Sequence, residues 1–170
     1  MKNNKKPDSK FIINSAMIAA AYIALSYISS LLSLSFGAIQ FRLSEALNIL
    51  AAITPAAIPG LTIGCLISNI SSPFGIVDII LGTVATLLSA VLINLVGKLK
   101  ISSIPILAAI PPTILNGIAV AIFTVFFTDG AATLVTFALT FLSVAVSEFA
   151  ICLLLGTVVF LTSKKYNLFK

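Results

Sequence analysis

The chain is expected to fold as an all-α polytopic membrane protein, a six-transmembrane-helix bundle with both termini in the cytoplasm. Three observations predict this. Of its 170 residues, 59% are hydrophobic and only 9% charged, where a soluble domain carries roughly 25% charge. Apolar stretches of about 20 residues recur along nearly the whole length, each long enough to cross a hydrocarbon core of about 30 Å as a helix. The lysines lie in short tracts beside those stretches, at 2–10, 98–100 and 164–170, and cytoplasmic flanks are the ones enriched in Lys and Arg. The division that follows is a basic cytoplasmic tail over 1–10, a membrane domain over 11–163 and a second basic cytoplasmic tail over 164–170.

The first element, 11–34, follows the basic start MKNNKKPDSK. A cleaved signal has an apolar region of only about 7–15 residues, so this run is read as a retained span. Next come 43–54 and 56–70. The stretch AAITPAAIPGL places Pro55, Pro59 and Gly60 inside one hydrophobic region, which suits either a kinked helix or two short ones joined by a turn. Topology favours two. With 43–70 as two elements all three lysine tracts fall on one side of the membrane, and with one element the second and third fall on the opposite side. The remaining spans are 78–97, 103–127 and 133–162. Short second and third elements are expected to tilt or to end in partly buried loops.

This count puts Arg42, Glu45, Asp78 and Asp129 toward the outer side and leaves Glu148 alone deep within a span. An acid at the bilayer centre costs roughly 2.5–3.5 kcal/mol, so Glu148 is expected to face the interior and a partner. Asn116, at similar depth in the fifth span, is the nearest candidate. On an α-helix Arg42, Glu45 and Asn48 occupy an arc of about 120° on one face, with Gln40 just outside it. A plainer reading is an Arg42–Glu45 surface ion pair at headgroup level, which contributes little energy. Asn69, Ser71, Ser72 and Asp78 continue the polar set, although Asn69 also suits a helix end and Asp78 an N-cap. The acids Glu45, Asp78 and Glu148, one guanidinium and several amides thus converge on an outward-opening pocket. Such a pocket fits a small polar solute rich in N–H donors, because a carboxylate accepts two parallel N–H bonds and a second carboxylate pairs with an amine cation.

Other function classes lose ground on the same residues. The chain has no His and only two cysteines, Cys65 and Cys152, both inside apolar runs. No metal site, no cofactor and no Ser or Cys catalytic constellation is expected, and the protein is read as not an enzyme. The sequence LINLVGKLK lacks the upstream glycine and the Ser or Thr of a phosphate-binding loop. Uphill transport would then draw on an ion gradient or on a separate ATPase. The net charge of +5 lies in tracts beside the membrane, so no nucleic-acid partner is implied. Ala16, Ala20 and Ala24 form a small-residue ridge on the first helix, suited to close helix approach either with a partner or within the bundle.

The run GAIQFRLSEALNILAAITPAAIPGLTIGCLISNI, followed by VDIILGTVATLLSA, resembles the QueT family of membrane substrate-binding (S) components of energy-coupling factor (ECF) transporters. The resemblance covers about Ala16 to Glu148, and its most specific part is Gln40 to Leu47. It implies a multi-pass cell-membrane subunit of an ABC importer that captures a queuosine precursor or queuine, a 7-deazaguanine, from outside. It also implies association with a transmembrane T component and two cytoplasmic ATPases, with Ala16, Ala20 and Ala24 as the docking face. On this likeness Glu45 and Glu148 accept the ligand's N–H groups, and Arg42 orients Glu45 or meets a ligand carbonyl. Gln40, Asn48, Asn69, Asp78 and Asn116 are further substrate-binding candidates, and Phe41, Phe74 or Tyr22 could stack on the base. Two alternatives remain open: a proton-coupled secondary transporter with Glu148 as relay, and an S component for another vitamin-like ligand.

Overall fold

Helix α1, Ser9–Leu31, is the first of six helical elements in the computed structural model, which describes residues 8–33, 41–72, 75–99, 104–127 and 133–169. A 3₁₀ helix follows over Leu43–Ala52, and then α2 (Ala57–Asn69), α3 (Ile76–Gly97), α4 (Ile104–Phe127) and α5 (Leu134–Tyr166). Helices α1, α3, α4 and α5 are long and apolar enough to cross a membrane. Their outward faces carry large apolar side chains such as Met17, Leu31, Ile80, Leu139 and Leu154. No aqueous surface tolerates so many, whereas lipid does. The protein is a helical membrane protein.

The six-span expectation meets four helices of spanning length and two shorter ones. The region 43–70 is broken, not kinked: the chain turns over Ile53–Ala56, where the Thr54 hydroxyl accepts from the Ala56 N–H at 3.3 Å. Pro59 sits in the first turn of α2, where its missing N–H costs no helical bond. At 13 residues, α2 reaches only about 20 Å, well short of a bilayer core.

The second element also differs in winding. Its sequence LSEALNILAA is rich in good α-helix formers, yet it winds as a ten-residue 3₁₀ helix. Tertiary anchors override propensity here. At one end the Leu43 N–H donates to Ser29 Oγ at 2.9 Å, and at the other the Asn94 side chain donates to the Ala51 carbonyl at 2.8 Å. Between such anchors, 3₁₀ winding reaches about 20 Å where α winding reaches about 15 Å.

Helices α1 to α5 pack in chain order, each against the next, and the 3₁₀ helix touches all five. Among the described residues α1 and α5 meet only through it. The central segment is therefore enclosed on every side, and Ser44 through Ala51 are all buried. The α1–α2 contact depends on small residues at four-residue spacing in α2. A Cβ added at Gly60 would lie 2.7 Å from the Ser15 carbonyl oxygen, and one at Gly64 would lie 2.8 Å from Tyr22 Cβ. This is the small-residue packing that lets membrane helices approach closely. The alanine ridge of α1 lies elsewhere: Ala16, Ala20 and Ala24 are exposed, while Ala19 and Tyr22 face inward.

Candidate functional site

A polar layer forms where the 3₁₀ helix meets α1, α4 and α5. With three residues per turn, side chains three apart eclipse one another, so Glu45 and Asn48 lie in one line, and Asn48 Nδ2 donates to Glu45 Oε2 at 2.6 Å. Helix α1 contributes Tyr22, fully buried, whose hydroxyl donates to Glu45 Oε1. Helix α4 contributes Asn116, whose Nδ2 donates to Glu148 Oε1 of α5 at 2.7 Å and to Glu45 Oε2 at 3.3 Å. One amide thus ties two carboxylates together. Both acids are almost wholly enclosed, Glu45 at 1% and Glu148 at 3% exposure, and such burial requires hydrogen-bonded partners. Asn48 Oδ1 has no partner among the described residues, which leaves a buried acceptor beside Glu45.

A second polar group closes one end of this layer. Arg42 precedes the 3₁₀ helix in extended conformation, and its Nη2 donates to Asn69 Oδ1. Asn69, the last residue of α2 and 2% exposed, donates in turn to the Asp78 carbonyl at 3.2 Å. It also lies 3.5 Å from Cys65 Sγ, which accepts from Thr86 at 3.2 Å. Helix α3 gives Asn69 room through Gly82, where an added Cβ would stand 2.6 Å from Asn69 Nδ2.

Arg42, Asp78, Gly82, Asn116, Phe123 and Glu148 line one cleft. It is narrow, so anything larger than water enters only as the walls part. Among the described residues of the cleft and the layer behind it, the acids Glu45, Asp78 and Glu148 outnumber the one guanidinium. The site therefore favours a ligand that brings N–H donors or positive charge.

Several expectations from sequence are revised here. Arg42 does not orient Glu45; it holds Asn69, because it lies outside the helical stripe that carries Glu45. Glu45 is not at the outer mouth beside Arg42 but buried with Glu148, so Glu148 is not the only acid at depth. Asp78 is not the N-cap of α3, a place taken by Gly75, but a first-turn residue. Asn69 ends α2 and is also built into the Arg42 network. The pairing of Glu148 with Asn116 is present as a hydrogen bond. Gln40 and Phe74 lie outside the described residues, as does Asp129. Phe41 is exposed, and Tyr22 uses its hydroxyl on Glu45, so the aromatic in the cleft wall is Phe123. Nothing in the sequence separates Phe123 from other apolar-span aromatics. Tyr22 carried a usable signal, since a phenol inside a span needs an acceptor.

A family model described as "QueT transporter" matches residues 12–165. The "Queuosine precursor transporter QueT" of Lactococcus lactis subsp. cremoris (strain MG1363) is 44% identical over 87 residues, covering 51% of this chain and 49% of that protein. The match thus spans about half the length of that curated relative. No solved structure matches. With a family match running over nearly the whole chain and a polar layer enclosed by apolar helices, the protein belongs to the QueT transporter family.

Proposed function

We propose that this chain is the substrate-capturing S component of an ECF-type importer in the cell membrane. It would bind queuine or a queuosine precursor, such as the aminomethyl 7-deazaguanine, from the extracellular side. The observation that carries this reading is the Asn116 amide joined to both Glu45 and Glu148 at a cleft that Arg42 and Asp78 also line. A guanine-like edge presents two parallel N–H donors that match one carboxylate. Its carbonyl oxygen is an acceptor for Arg42, and an amine cation on the substituent pairs with a second carboxylate. The printed name of the Lactococcus relative supports the same ligand class.

In this reading all six helical elements enter or cross the bilayer, both termini face the cytoplasm, and no ATP is hydrolysed by this chain. Energy comes from two cytoplasmic ATPases through a T component. The exposed Ala16 and Ala20, which border an open apolar groove with Phe11, Ile12, Pro59 and Ile63, suit the docking of such a subunit.

Calorimetry on the purified chain in nanodiscs, without ATP, tests the assignment. Queuine or the aminomethyl precursor is expected to bind, and Glu45→Gln and Glu148→Gln to weaken binding sharply in a protein that still folds. Absence of binding by every 7-deazaguanine would sink the reading. The buried acid pair also invites a proton-coupled secondary transporter. Uptake by this chain alone, abolished by a protonophore, would establish that mechanism instead.

A further inference from the structure

Arg42 and Asn69 also line a second polar hollow, narrow as it stands, so that any group larger than water enters it only as the walls part. Its walls are the pair itself and the hydroxyls of Ser26, Tyr27, Ser30, Ser68 and Ser71. Among the described residues no carboxylate lines it. Arg42 borders both hollows, so one side chain is shared between their walls.

The hydroxyls are not equivalent. Ser68 commits its proton to the Gly64 carbonyl at 2.7 Å, leaving its lone pairs for another donor. Tyr27 and Ser71 pair with each other at 3.2 Å on the exposed rim. Ser26 is different: it is 9% exposed, and its Oγ is buried with no hydrogen-bond partner among the described residues. Its position in α1 allows the usual bond back to a helix carbonyl, as Ser29 makes to Leu25, yet Ser26 makes none. A buried hydroxyl without a partner costs free energy, so this one is open to a partner from beyond the described residues, a ligand among them.

The chemistry of that partner follows from charge and from hydrogen-bond capacity. The acids that balance Arg42, Asp78 and Glu148, line only the cleft side. What the second hollow offers is groups that both donate and accept. A vicinal diol has the matching set, two O–H donors and two acceptors within one small unit. We propose that this hollow is a subsite for a hydroxylated substituent of the ligand, a vicinal diol. The base occupies the cleft, and a linker of a few atoms passes over the Arg42–Asn69 pair. This rests on the 7-deazaguanine reading and adds a preference to it: among such bases, the chain selects the one that carries a diol.

The test compares two ligands on the full chain in nanodiscs by calorimetry: queuine, which carries a cyclopentene diol, and the aminomethyl precursor, which lacks it. Queuine is expected to bind more tightly. Ser26→Ala and Ser30→Ala are each expected to reduce the ratio of the two affinities roughly three- to tenfold, the loss of one neutral hydrogen bond. Because Ser26 Oγ makes no hydrogen bond among the described residues, Ser26→Ala is expected to fold, and an unchanged melting temperature verifies it. Equal affinity for the two ligands, or a ratio indifferent to both substitutions, overturns the subsite and leaves the transport reading intact. Competition by millimolar inorganic phosphate also overturns it, by making the hollow an anion site. If neither ligand binds, the transport reading falls and the subsite with it.

Discussion

Replacing Tyr22 with Phe deletes one oxygen and keeps the ring. The ring is fully buried in the core formed with Ile18, Leu61 and Cys65, so its packing is retained and the change isolates the hydrogen bond to Glu45. A buried bond to a charged group contributes about 1.5–3 kcal/mol. Removing the donor leaves Glu45 held on one side only, by Asn48 and Asn116 through Oε2. The thermal midpoint should fall by about 3–12 °C, at roughly 2–4 °C per kcal/mol for a chain of this size. Ligand affinity should fall too, because a carboxylate anchored through Oε2 alone no longer presents a fixed pair of acceptors. At about 1.4 kcal/mol per factor of ten, the loss lies between about 10- and 150-fold. Calorimetric titration of Tyr22→Phe with the tightest-binding 7-deazaguanine reads this directly. An affinity equal to or better than that of the parent would refute the argument that the phenol positions the acid.

Three further substitutions probe other parts of the structure. Gly82→Ala places a methyl 2.6 Å from Asn69 Nδ2 and improves helix propensity, so affinity is expected to drop about tenfold while the melting temperature holds within a few degrees; calorimetry with thermal unfolding checks it. Gly64→Ala sets a Cβ 2.8 Å from Tyr22 Cβ, which pries α1 from α2 and should cost about 1–3 kcal/mol, seen as an earlier thermal transition. Ala20→Leu alters an exposed position on α1, so ligand binding and melting should stay at parental values while co-purification with the proposed membrane coupling subunit is lost. Loss of ligand binding in that variant would place the ridge in the internal packing.

Periodicity and composition made all six helical positions legible, because a run of apolar residues ended by Pro, Gly or Lys states where a membrane helix begins and stops. Winding was not legible. LSEALNILAA has α propensity, and only the anchors at Ser29 and Asn94, distant in sequence, show that the segment must reach further than an α-helix does. The error at Arg42 has another source: the observed winding aligns Glu45 with Asn48, but Arg42 precedes the helix in extended conformation and reaches Asn69 instead. Depth worked better for Glu148 and Asn116, since two long straight helices convert residue number into height. The place of Phe123 needed coordinates, as nothing local distinguishes a phenyl turned to the core from one turned to lipid, whereas the Tyr22 phenol signalled the need for an acceptor but not which one.

The central 3₁₀ helix has a consequence for how the protein can change shape. Rewound at 3.6 residues per turn, the ten residues would shorten by about 5 Å, and Asn48 would swing about 60° out of line with Glu45. Both ends are tethered to other helices, so such a contraction would draw α1 and α3 toward each other while separating the acid from its amide. A motion of the helices and a change in grip on the solute would then be one event, geared through a single coil of backbone.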